Sequence, residues 1–279
     1  MERIKEALER AREERDQSGV PVQRRSNTST GAARDPAPKK IEYTETRIRP
    51  RDDARLDQWR VVAHRPQSPA GEAFKVLRTR VLQRMMAKDW SALAVTSPTM
   101  GNGKTVTAVN LAISLAREVN HTVLLVDFDL KRPNVHNFFT DEPGPGISDY
   151  VSRDVPLTEI LFNPGIERLV VLPGNEAMED SSEVLLAPKM LELVEELKSR
   201  YPNRIVIFDL PPALFFDDVL AFSPYIDAVL MVAEEGVTTK QQLQQACGMI
   251  DAERLCGVVL NKSTAPHTDM GAQYGYGSR

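Results

Sequence analysis

Short apolar runs rich in β-branched side chains recur along this sequence, at Ala92–Thr96, Thr122–Val126, Leu169–Leu172, Arg204–Phe208, Ala228–Val232 and Gly257–Leu260. Segments of helical period lie before or between them, at Pro69–Lys88, Thr105–Glu118, Glu183–Arg200 and Thr239–Ala252. The first of these carries Phe74, Leu77, Val81 and Met85 on one stripe. A strand that is apolar on both faces must be covered on both, and strands joined through helices run parallel. The pattern predicts an α/β fold, a doubly wound and mostly parallel sheet with helices on both faces.

The flanks read differently. Residues 1–16 form a charged helical pattern whose apolar stripe, Ile4, Ala7, Leu8 and Ala11, is thin enough to suit docking on a partner better than core burial. Residues 17–60 turn to Ser, Thr, Pro, Gly and Arg and read as a disordered linker. The folded domain is expected over 61–262, followed by a flexible tail over 263–279. A net charge of −4 argues against a chain whose main task is gripping nucleic acid. Cys247 and Cys256 stand in no metal-ligand spacing and read as packed thiols. The charged N-terminus is unlike a signal peptide, and no run nears the roughly 18–20 apolar residues of a membrane span. A cytoplasmic location follows as the expectation, with any membrane contact made peripherally or through a partner.

The run Ala92–Thr96 leads into Ser97-Pro-Thr-Met-Gly-Asn-Gly-Lys-Thr105, after which a helix begins. A glycine-rich turn between strand and helix lets successive N–H groups face one concavity, and the helix N-terminus adds partial positive charge, so phosphate is the fitting ligand. In that reading Gly101, Asn102, Gly103 and Val106 contribute backbone, Lys104 reaches the β and γ phosphates, and the Thr105 hydroxyl ligates Mg²⁺. Pro98 stands where the strict pattern asks for glycine. Two further runs end in carboxylates: Val123–Val126 leads into Asp127-Phe-Asp129-Leu-Lys-Arg-Pro133, and Ile205–Phe208 into Asp209-Leu-Pro-Pro212. Ligands of such sheets sit beyond the carboxyl ends of the strands, so Asp127, Asp129 and Asp209 are expected beside the loop. An Asp after a buried strand also commonly caps the next turn. Thr105, Asp127 and Asp209 form the candidate metal set. Asp127 and Asp129 offer one carboxylate for metal and one to accept a hydroxyl proton, without the spacing saying which.

These segments resemble the bacterial tyrosine kinases of exopolysaccharide synthesis, whose marks are a Walker A loop, an hhhDxD motif followed by basic residues and Pro, and a Walker B hhhhDxPP. The similarity runs from about Ser68 to the C-terminus and includes Gly146–Tyr150, Leu172–Gly174, Ser182–Leu186 and Gly257–Asn261. The charged N-terminal helix resembles the exosortase-associated subgroup. The resemblance implies an ATP- and Mg²⁺-dependent autokinase with Asn261 near the adenine. It also implies trans-phosphorylation between subunits of a homo-oligomer, and an inner-membrane polysaccharide co-polymerase as activator. In the family an E-x-x-R-x-x-R helix drives assembly; here it reads Glu72-Ala-Phe-Lys75-Val-Leu-Arg78, with Lys75 replacing a planar guanidinium. The family's C-terminal tyrosine cluster shrinks to Tyr274 and Tyr276, the implied phospho-acceptors. The alternative is a partitioning or positioning ATPase of the same fold. That class carries a second lysine at the position held here by Thr99. An iron–sulfur ATPase would need paired cysteines.

Overall fold

The computed structural model describes residues 46–142, 144–201 and 203–264. Within them the strands are β1 (Arg47–Ile48), β2 (Ala92–Thr96), β3 (Thr122–Asp127), β4 (Phe162–Asn163), β5 (Leu169–Leu172), β6 (Arg204–Asp209), β7 (Ala228–Glu234) and β8 (Leu255–Asn261). The α-helices are α1 (Asp53–Gln58), α2 (Pro69–Ala87), α3 (Lys104–Ala116), α4 (Ile147–Arg153), α5 (Leu157–Ile160), α6 (Ser181–Leu186), α7 (Pro188–Ser199), α8 (Asp218–Phe222) and α9 (Lys240–Gly248). The strands form one sheet in the order β1-β4-β5-β3-β6-β2-β7-β8. Every neighbouring pair is parallel except β4 with β5. The doubly wound, mostly parallel sheet expected from the apolar runs is present.

Strand alternation divides the core. On β2, Leu93 and Val95 face the layer built with Val81, Met85, Leu111 and Leu115, while Ala92 and Ala94 face the layer built with Leu193, Leu197 and Phe222. In the second layer Phe128, Phe208 and Phe222 pack ring to ring, with centroids 5.0 to 5.4 Å apart. Fully burying side chains of this size contributes roughly 1.5–3 kcal/mol each, which makes the two layers the main source of stability.

Two sequence expectations need correcting. The linker does not run to Arg60. Arg47–Ile48 pairs with Phe162–Asn163 at the sheet edge, and Asp52 caps α1, whose Leu56 is buried in the core. The signal was weak because the strand has two exposed residues and the helix buries a single side chain. The helical pattern Glu183–Arg200 is two helices. Ala187 takes an extended backbone, φ −60° and ψ 140°, before Pro188 starts α7, as the residue ahead of proline is sterically pushed to do.

Two polar side chains, the buried Asn110 and the half-buried Asp227, tie neighbouring segments together. Asn110, on α3, accepts from the N–H groups of Val62 and Ala63 through Oδ1 at 2.7 and 2.9 Å, and donates through Nδ2 to the carbonyls of Arg60 and Val106. Asp227 accepts from the backbone N–H of Ser91 and of Ala92, both at 2.8 Å, and pairs with Lys198 at 3.2 Å. Burial alone would raise the Asp227 pKa, but the two N–H donors and Lys198 prevail and hold it below the usual value. A depressed native pKa contributes stability that is present above the ordinary value of 3.8 and is lost as pH falls through the native one. Asp227→Ala is therefore expected to destabilise the fold by about 1–3 kcal/mol near neutral pH. Urea unfolding should show the deficit shrinking as the medium is acidified.

Candidate nucleotide-binding site

Strands β3, β6 and β2 lie side by side, and their carboxyl ends deliver the chemistry. Asp127 is the direct register partner of Asp209, and Asp209 in turn pairs with Val95 on β2. The loop that leaves β2 makes a tight arch. Gly101 and Gly103 have φ of +80° and +89°, the left-handed region that glycine enters without penalty. A Cβ on Gly103 would also come within 2.2 Å of Asn261 Nδ2. Asn102 is fully buried, and its Oδ1 accepts from both the N–H and the hydroxyl of Thr99 at 3.0 Å, closing the arch from inside. The loop requires no positive φ at Pro98, so the departure from the strict glycine pattern is accommodated. Gly103 caps α3 with no side-chain hydrogen bond, unlike α2, where Ser68 accepts from Gly71 N–H. The first turn of α3 is thus left for an anion.

The charged groups converge on one point. Lys104 Nζ lies 2.6 Å from Asp129 Oδ2 and 3.6 Å from Asp209 Oδ2, and 3.1 Å from the Thr105 hydroxyl. That hydroxyl donates to Asp209 Oδ2 at 2.6 Å. Burial disfavours the Lys104 ammonium, but Asp209 and Asp129 outweigh it and raise its pKa. Burial pushes Asp127 and Asp209 up as well, and Asp209 adds repulsion at Asp127. Asp127 Oδ2 accepts from the N–H groups of Asn134 and Val135 at 2.8 and 2.9 Å, so this Asp does cap the following turn. Asp127 Oδ1 and Asp209 Oδ1 are buried without a hydrogen-bond partner. Two crowded carboxylates with unmet oxygens beside a threonine hydroxyl make an all-oxygen donor set short of positive charge, which fits Mg²⁺. No cluster of three or more His, Cys, Asp or Glu suited to holding a metal occurs among the described residues, and Mg²⁺ in a phosphate site needs only one or two carboxylates.

A cavity of about 480 Å³ opens beside this cluster and is lined by Lys104, Thr105, Val106, Asp129 and Arg132, with Trp59, Phe138 and Phe216 as its aromatic walls. Trp59 and Phe138 pack with centroids 5.0 Å apart. The sequence reading missed both aromatics, because Trp59 lies in the supposed linker and Phe138 in a short 3₁₀ turn. Asn261 is placed against the loop, donating to the Asn102 carbonyl at 2.9 Å. On α2, Lys75 pairs with Glu72 at 2.6 Å, and Arg78 pairs with Glu118 at 3.1 Å and donates to the Ser114 carbonyl. These contacts lie within one chain, and Arg78 ties α2 to the end of α3. Tyr274 and Tyr276 fall outside the described residues.

Residues 93–273 match the CobQ/CobB/MinD/ParA nucleotide binding domain model. The chain is 29% identical over 216 residues to EpsB of Ralstonia nicotianae, covering 77% of this chain and 28% of that protein. It is 27% identical to the tyrosine-protein kinase YwqD of Bacillus subtilis, covering 80% of this chain and 94% of YwqD. The solved kinase domain of the Escherichia coli tyrosine kinase ETK aligns at 26% identity with a TM-score of 0.65, over 75% of this chain and 83% of that one. The chain thus spans 28% of the length of the Ralstonia relative and nearly all of the Bacillus one. A phosphate arch with an uncapped helix start, flanked by strand-end carboxylates on a sheet of this order, is the working part of a P-loop, and the chain belongs to the CobQ/CobB/MinD/ParA nucleotide-binding family.

Proposed function

We propose that this chain is an ATP-dependent protein-tyrosine kinase that phosphorylates Tyr274 and Tyr276 on the tail of a neighbouring copy, in control of exopolysaccharide polymerisation or export. The observation that carries this reading is the Lys104–Asp129–Asp209–Thr105 cluster at the mouth of the cavity, in a domain whose relatives are named tyrosine-protein kinases. Bound Mg²⁺ would neutralise charge on the β and γ phosphate oxygens. Thr105, Asp209 and Asp127 are the residues that would hold it. Lys104 moves from Asp129 onto the phosphates, and Asp129, which lines the cavity while Asp127 does not, is then free to accept the tyrosine hydroxyl proton. The loop amides and the start of α3 hold the phosphates, and Trp59 and Phe138 wall one side of the cavity.

The activator in this reading is the cytoplasmic segment of an inner-membrane polysaccharide co-polymerase, and the kinase works at the cytoplasmic face of that membrane. No helix among the described residues is long and apolar enough to cross it. Glu72, Lys75 and Arg78 are the residues proposed to join copies into an oligomer. The alternative, a positioning ATPase, is disfavoured at Thr99, whose N–H and hydroxyl are engaged with Asn102 and brace the loop.

The test is incubation of the chain with labelled Mg-ATP, with and without such a cytoplasmic segment, followed by mapping of the phosphorylated residue. Replacing Tyr274 and Tyr276 together by Phe is expected to remove most phosphotyrosine and leave nucleotide binding intact. A Lys104→Met chain with its tail should acquire label from a wild-type chain lacking the tail. Hydrolysis of ATP with no phosphotyrosine formed, activator present, would transfer the assignment to the positioning ATPases.

A further inference from the structure

The phosphate arch is held from behind by the end of β8. Lys262 Nζ lies 2.8 Å from the Gly101 carbonyl oxygen, and Asn261 Nδ2 lies 2.9 Å from the Asn102 carbonyl oxygen. Consecutive residues of the strand end therefore hold consecutive carbonyls of the loop. Lys262 is itself fixed by Glu234 at the end of β7, 2.9 Å away, and Glu235 N–H donates to the Asn261 carbonyl at 3.0 Å. Its backbone sits at φ +56°, a conformation that a non-glycine residue adopts only when its surroundings enforce it.

Peptide planarity gives this arrangement a function. All the described peptide bonds are trans, so each carbonyl and the N–H of the next residue point in opposite directions. Drawing the Gly101 oxygen toward Lys262 turns the Asn102 N–H the other way, and drawing the Asn102 oxygen toward Asn261 does the same for Gly103. We infer that Lys262, seconded by Asn261 and oriented by Glu234, is a positioning residue for phosphate binding, turning the loop carbonyls outward and its amides toward the cavity. A phosphate loop can only attract an anion if its carbonyl dipoles are kept out, and an ammonium behind the loop does this without entering the site. The inference rests on the nucleotide reading of the loop and is independent of the kinase reading.

The full chain and its Lys262→Met, Lys262→Arg and Glu234→Gln variants are compared by calorimetric titration with Mg-ADP and by melting temperature without nucleotide. Lys262→Met is expected to weaken Mg-ADP binding about tenfold while leaving the nucleotide-free melting temperature in place. Lys262→Arg keeps the charge and the donors and should restore affinity. Glu234→Gln should weaken binding in the same direction and by less. Wild-type affinity in both Lys262→Met and Glu234→Gln overturns the inference, as does a loss of affinity that comes only with a matching fall in melting temperature. A wild-type chain that binds no Mg-ADP defeats the nucleotide reading itself, an outcome distinguishable from either.

Discussion

Replacing Lys104 by methionine is expected to lower ATP turnover by at least about a thousandfold, the scale on which a single cationic side chain acts in phosphoryl transfer. The domain should stay folded. The methionine stem keeps most of the packing of the lysine, whose side chain is 12% exposed at the edge of the cavity and not in either core layer. What disappears is the one ammonium set between Asp129 and Asp209. Without it Asp209, whose pKa the Lys104 charge holds down, takes up a proton more readily, which limits the loss in stability. Calorimetry with Mg-ATP and circular dichroism of the same sample separate the two effects. Unchanged nucleotide affinity in a folded variant would remove Lys104 from the site.

Asp127→Asn and Asp209→Asn are expected to cut activity at least about a hundredfold, since each withdraws a charge from the candidate metal set. For Asp127 the stability effect should have the opposite sign. Its native pKa is raised by burial and by Asp209, so it stabilises the metal-free fold fully only below the ordinary value of 3.8 and loses that contribution as pH rises through the native value. An asparagine still accepts from Asn134 and Val135 N–H and brings no charge. The metal-free Asp127→Asn chain should therefore melt higher than the wild type near neutral pH, with the gain vanishing in acid. Near-normal rates across a magnesium titration for both variants would exclude the metal role.

The parts of the fold that were legible in the sequence are those where burial is complete. Ala92–Thr96 and Leu169–Leu172 read as strands with the bounds the structure has, because a parallel strand covered on both faces leaves an unbroken apolar run. That Lys104, Thr105, Asp127, Asp129 and Asp209 lie together was legible because loop and strand ends must meet at one sheet edge. Arg47–Ile48 and Asp53–Gln58 were not, since elements that bury one side chain between them leave no period to find. Pro188 carried a signal that went unused, as a proline one residue beyond Ala187 forbids a continuous helix. The role of Lys262 was invisible for another reason. It depends on which way a carbonyl points, and no residue type announces that.

The Asn110 side chain has a mechanical consequence. One amide group holds both the strand of chain at residues 60–63 and the carbonyl of Val106, a residue in the first turn of the phosphate-binding helix and on the cavity wall. Trp59, immediately upstream, is itself part of that wall. The segment that carries Trp59 and the first turn of α3 therefore share one anchor, and losing the Asn110 amide would release two walls of the cavity together.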